Sequence, residues 1–141
     1  MIGMVAKKMF FDSKAVTTRV DVATQRVFKK FGAYVRTSAR SSIRKRKAIS
    51  KPGSPPSSHV GTLRRLIYFG YDRASRSVVI GPEQFEGRAE GAEALEYGGR
   101  IRVKSRKQKT VMATYRARPF MGPAFEKEKP KLPAMWANSV K

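Results

Sequence analysis

The sequence predicts an α+β fold, with a long N-terminal helix and a C-terminal helix packed on a small, mainly antiparallel β-sheet. Three observations lead there. From residue 13 to about 44, apolar side chains recur at steps of three and four, the helical period. From 66 to 115, short apolar or alternating runs are separated by turn formers and one Glu/Ala/Gly-rich stretch. After Pro119 the pattern turns helical again.

The first helix is capped by Asp12 or Ser13, whose side-chain oxygen accepts from a free amide of the first turn. Its apolar stripe is Val16, Val20, Ala23, Val27, Phe31, Tyr34, Val35 and Ala39, and Arg19, Arg26, Lys29, Lys30, Arg36 and Arg40 occupy the other faces. Gly32 is a weak spot in it, worth about 1 kcal/mol relative to Ala. Run to about Arg44, the helix is about 45 Å long at ~1.5 Å per residue. That exceeds the needs of one small core, so part of its face is expected to meet a neighbour. Residues 48–60, rich in Pro and Ser, cannot continue the helix and form an exposed loop.

Leu66–Asp72 and Ser77–Gly81 flank Arg73-Ala74-Ser75-Arg76 and read as a hairpin. A short helix over Ala89–Tyr97 is ended by Gly98-Gly99. Residues 100–115 form a second, basic hairpin, in which Ile101-Arg102-Val103-Lys104 and Thr110–Tyr115 alternate around a basic connection. Pro119–Phe125 opens a C-terminal helix or pair of helical turns that Pro130 and Pro133 kink or split, leaving 130–141 as an irregular tail.

With 141 residues, 40% of them hydrophobic, the chain suits one domain with one modest core. Cys is absent, which excludes disulfides and thiolate metal sites, and the single His59 excludes any site built on two histidines. No apolar run approaches the ~18 residues of a membrane span. Residues 1–11 are too short and lack the cleavage pattern for a signal peptide. No cofactor and no enzyme activity are expected.

Charge dominates. Lys and Arg number 31 against 10 Asp and Glu, a net +21, which calls for a polyanionic surrounding. The cations concentrate in two tracts. Arg40 opens the first, which continues through Arg44, Lys45, Arg46, Lys47 and Lys51; the second holds Arg100, Arg102, Lys104, Arg106, Lys107 and Lys109. Clustered cations suit a phosphate backbone, since affinity comes from releasing condensed counterions. An acidic protein ring would attract the same surface, and a charge run is commonly a solvated face. Neither tract interleaves aromatic residues, which disfavours base stacking. Glu83, Glu86, Glu90, Glu93 and Glu96 sit at near-helical spacing. They read more readily as an acidic face paired with cations of the same or a neighbouring subunit than as a Mg²⁺ site. His59 has no carboxylate near it in sequence to orient it and reads as a loop histidine.

In Ala117-Arg118-Pro119-Phe120-Met121-Gly122-Pro123-Ala124, Pro119 ends a strand, Phe120 enters a core and Pro123 suits a first helical turn. This corner resembles the ARPF-x-x-PA signature of tail-completion (head–tail joining, or neck) proteins of tailed bacteriophages. The order of other segments is similar to theirs: Val60-Gly61-Thr62-Leu63-Arg64-Arg65-Leu66-Ile67, then Val78-Val79-Ile80-Gly81, then Ala92-Glu93-Ala94-Leu95-Glu96-Tyr97-Gly98. The likeness spans roughly residues 13–129. Gly99 stands where members often carry Thr.

The resemblance implies a single tail-completion-like domain over 1–141 and a structural virion protein, made in the host cytoplasm and placed in the neck. Members assemble as rings, six-fold by this likeness, which join the head connector or adaptor to a tail terminator or tail tube and surround the DNA path. Glu86, Glu90, Glu93, Glu96, Arg118 and Phe120 are then expected at subunit interfaces. The two basic tracts would face DNA, contacted without sequence preference, or an adjacent ring. The alternatives are a tail terminator ring or a ribosomal-protein-like protein that binds nucleic acid without regard to sequence. A Mg²⁺-dependent nuclease comes third.

Overall fold

The computed structural model describes residues 12–83, 89–105, 107 and 109–141, the side chains of residues 89 and 90 excepted. Helix α1 (Ser13–Ser42) begins where Asp12 Oδ1 accepts the Ala15 amide at 3.0 Å, the cap the sequence offered. It ends where Ile43 turns extended and buries its side chain completely, 1% exposed. Strand β1 (Arg44–Lys45) then pairs in parallel with β2 (Ser57–Ser58). A single turn α2 (Thr62–Arg65) follows Gly61, whose φ of 80° is the left-handed region where glycine is at ease.

Strands β3 (Ile67–Asp72) and β4 (Ser77–Pro82) form the first antiparallel hairpin, Ile67 opposite Pro82 and Asp72 opposite Ser77. Its turn is held by Asp72, whose carboxylate accepts the Ala74 amide at 3.0 Å and the Ser75 hydroxyl at 2.5 Å. Helix α3 (Ala89–Tyr97) stops at Gly98, φ 78°, whose amide donates to the Ala94 carbonyl at 2.9 Å. Strands β5 (Gly99–Lys104) and β6 (Thr110–Tyr115) make the second hairpin. Helix α4 (Met121–Glu128) continues through a 3-10 turn (Lys129–Lys131) into α5 (Leu132–Trp136). The prolines therefore split the C-terminal helix without ending it, and Pro130 and Pro133 sit in the first turns of their segments, where a missing amide costs little.

The expected mixed α+β fold is present, and its strands form three separate two-stranded ladders, among the described residues, rather than one continuous sheet. Helix α1 packs on β3, β4, α4 and α5. Phe31, Val35 and Ala39 of α1 meet Ile43, Ile67, Phe120 and Ala124 in one buried cluster. Burial begins only at Ala23. Val16 and Val20, predicted on the buried stripe, are 43% and 40% exposed. Tyr34 is also outside the core, at 41%.

Gly32 is buried where α1 and the β3–β4 hairpin touch most closely. A Cβ there would lie 2.8 Å from Phe69 Cδ2 and 2.9 Å from Val78 Cγ2. The glycine permits this approach, so its helix-propensity cost has a packing reason. The C-terminal segment docks through aromatic edges, Phe28 to Trp136 at 5.8 Å and Phe31 to Phe125 at 5.7 Å between ring centroids.

Candidate polyanion-binding site

In β5, strand alternation puts Arg100, Arg102 and Lys104 on one face, opposite Thr114, Met112 and Thr110, and all three cations are exposed. Ile101 and Val103 are half-buried on the other face. Beyond its partner strand, β5 packs beside α3, so the hairpin is an arm at the edge of the core. Lys107 and Lys109 are exposed at its tip; Arg106 lies outside the described residues.

The other tract is exposed but fixed. Arg44, Lys45, Arg46, Lys47 and Lys51 all reach solvent. Their backbone is tied by the β1–β2 ladder and by Ser57 Oγ, which donates to Ala48 O at 2.6 Å and accepts from Ser50 N at 3.0 Å. The loop expected to be exposed is therefore partly buried: Ser50 is 3% exposed and Pro56 is buried. It is fastened to the corner after β6, where Arg118 Nε donates to Ser50 O at 3.0 Å and Gly53 N to Ala117 O at 2.8 Å.

Between loop and corner lies a cleft of ≈ 480 Å³, whose walls carry Arg46, Lys47, His59, Arg116 and Arg118. The fold thus brings Arg46 and Lys47 of the first tract together with the continuation of β6. It leaves Arg44, Lys45 and Lys51 outside the cleft, and the β5 cations on the arm. Arg116 escaped the sequence reading. Its signal was the alternation running on from β6, which places basic residues at 116 and 118.

Among the described residues the ion pairs are Arg76–Asp21, Lys129–Glu126 and Lys131–Glu128, none of them in either tract. With no ion pair among the described residues, these cations sum to a positive field that attracts anions.

Arg40, which opens the first tract, and Arg36 converge on Tyr68, a contact that was not foreseen. Arg36 and Arg40 reach from α1 over the Tyr68 ring, each guanidinium carbon 5.8 Å from its centroid. They donate to the carbonyls of Ile67 (3.1 Å) and Arg65 (2.8 Å), closing the start of β3. Burial, and then the neighbouring Arg36 and Arg64 charges, push the Arg40 guanidinium below its ordinary value, with Tyr68 opposing them.

Three residues expected at subunit interfaces are occupied within their own chain. Glu96 accepts the amides of Phe120 (2.8 Å), Met121 (3.0 Å) and Gly122 (2.7 Å), a carboxylate cap on α4 supplied from another helix. Phe120 is 1% exposed in the core, out of reach of any neighbour. Arg118 clamps the 48–60 loop through Nε to Ser50 O, while its Nη1 donates to Arg116 O and its backbone amide to Leu95 O. Glu93 is exposed; Glu86 and the Glu90 side chain lie outside the described residues.

Among the described residues no three of His, Asp and Glu gather as a metal site, and no helix is long and apolar enough to cross a membrane. The arrangement offers charge and hydrogen-bond donation along an exposed, rigidly held surface. No protein-family model, curated protein or solved structure matches the chain.

Proposed function

We propose that the chain is a structural subunit of a tailed-phage neck, assembling as a ring that joins head to tail around the DNA path. One observation carries this reading: the surface a lone copy leaves uncovered. Val16, Val20 and Val22 are exposed along the first turns of α1, and Tyr68 (47%) and Val79 (66%) lie exposed on the β3–β4 hairpin. Two-stranded ladders also leave strand edges unpaired, a ready template for a neighbouring chain. The segments that resemble the neck family fall at the joints of the fold: Gly61 before α2, Gly98 after α3, and the Pro119–Phe120 corner under the Glu96 cap.

The test is the mass of nuclease-treated protein by light scattering at low and high salt. A discrete ring-sized species, or a monomer that rings only with virion components, is the expected result. A monomer that changes mass only on adding arbitrary DNA or RNA would instead establish the second reading, a nucleic-acid-binding protein indifferent to sequence. That reading is favoured by the cationic cleft alone.

A further inference from the structure

We infer that the cleft between the 48–60 loop and the β6 corner seats a phosphate of a nucleic-acid backbone, read without regard to base sequence. The inference rests on the chain working beside nucleic acid and is independent of its ring form.

The cleft is built for an anion. Arg46 and Lys47 enter from the loop, Arg116 and Arg118 from the corner, and His59 from the turn after β2, and none of its lining residues is acidic. One buried group in its wall has no use within the chain. Ser50 is 3% exposed, lines the cleft, and its hydroxyl has no hydrogen-bond partner. An unpaired buried hydroxyl is costly, and a phosphate oxygen would satisfy it once the cleft wall opens to expose it. Arg118 is already oriented: its Nε is held by the Ser50 carbonyl, which fixes the guanidinium plane at the cleft wall.

Charge balance argues against a second copy of this chain as the occupant. A second copy of this chain brings another +21, so homotypic pairing leaves most cations unneutralised. A phosphate backbone supplies anions in series, and further exposed cations stand outside the cleft to meet them. Arg44 and Lys45 lie just before the cleft's loop, and Arg100, Arg102 and Lys104 stand along one face of β5, about 6.6 Å apart at ~3.3 Å per residue. At ≈ 480 Å³ the cleft is far roomier than a single phosphate ion needs, which fits a sugar–phosphate segment better than a free ion.

The test is fluorescence anisotropy of the full chain with a short labelled duplex of arbitrary sequence, titrated across salt concentrations. The double variant Arg46→Ala/Arg116→Ala is compared with Arg19→Ala/Arg73→Ala, which removes the same charge from exposed positions outside the cleft. The cleft variant is expected to lose about tenfold in affinity, and its slope of log K against log salt to fall by roughly 1.8, about 0.9 for each phosphate contact removed. The control is expected to keep the wild-type slope and lose less than about twofold. Ser50→Ala is a second variant that leaves the cations alone. It is expected to melt at the wild-type temperature or above, because an unpaired hydroxyl is gone, while binding the duplex about threefold more weakly. Equal losses in the cleft and control variants would overturn the proposal. So would a cleft variant that weakens binding of polyglutamate but not of the duplex, which would assign the cleft to an acidic polypeptide. Inorganic pyrophosphate competing as well as the duplex, per phosphate, would assign it to a free phosphate. Light scattering of the same variants keeps the ring reading separate, since assembly can survive the loss of this contact or fail with the contact intact.

Discussion

Gly32 shows how far one residue's role depends on what it faces. By helix propensity, Gly32→Ala gains about 1 kcal/mol. By packing, the new methyl falls within 3 Å of a Phe69 ring carbon and a Val78 methyl, so the hairpin side chains must shift to admit it. Overpacking of this kind costs about 1–3 kcal/mol, so the net expectation is a destabilised protein. Urea denaturation should show a lower midpoint for Gly32→Ala, recovered in part by adding Val78→Ala, which makes room for the methyl. A midpoint above wild type would mean that the helix and hairpin separate more easily than the seam suggests. The sequence announced the glycine but not its purpose, because the hairpin that crowds it lies more than thirty residues away. The same distance hid Glu96. Its place in a Glu-rich run suggested a charged outer face, yet its carboxylate sits on three amides at the start of α4, a bond between positions 24 to 26 residues apart.

Whole elements were more legible than contacts, since their limits are set by local chemistry. The α3 boundaries and both hairpins follow the sequence reading because Gly98, the Asp72 turn and strand alternation act within a few residues. The separation into three ladders was not legible, as it depends on packing between elements far apart in sequence. One buried acid adds to the aromatic docking of the C-terminal segment. Glu128 is 3% exposed, accepts Ser38 Oγ of α1 at 2.5 Å and Lys131 Nζ at 2.6 Å, and so ties α4 and the 3-10 turn to α1. The Lys131 bond and then the Ser38 bond hold its carboxyl below the ordinary value of 4.5. A depressed folded-state pKa gives stability that is complete above the unfolded value and is lost as pH falls through the folded one. Glu128→Gln should therefore cost about 2 kcal/mol at neutral pH. The gap from wild type should narrow steadily below about pH 4.5, where the unfolded chain takes up a proton that the folded carboxylate still resists. Denaturation curves at a series of pH values check this; wild-type and variant curves running parallel down to strong acid would show that the charge on Glu128 does not hold the segment.

At the scale of the molecule, the excess of 31 cations over 10 acids makes the folded chain work against itself. Few acids relieve it: Glu96 is bound to amides, and two of the three ion pairs among the described residues are exposed pairs of small worth. Screening should thus stabilise the fold. The Debye length shrinks from about 10 Å at 0.1 M salt to about 3 Å at 1 M, which removes most repulsion between separated surface charges. The melting temperature is expected to rise by several degrees over that range, a shift of roughly 1 kcal/mol. A nucleic-acid duplex at low salt should act more strongly, because a ligand at 100 times its Kd stabilises the state it binds by about 2.7 kcal/mol. That gain must fade as salt rises, since salt competes for the same phosphates. The two melting series, with and without duplex, are therefore predicted to start far apart and to converge at high salt. Repulsion also opposes assembly, as each copy brings its own +21, so rings should be favoured by salt or by a polyanion threaded between subunits. A melting temperature that falls as salt is first added would show the opposite balance: cations held by carboxylates rather than left for an outside partner.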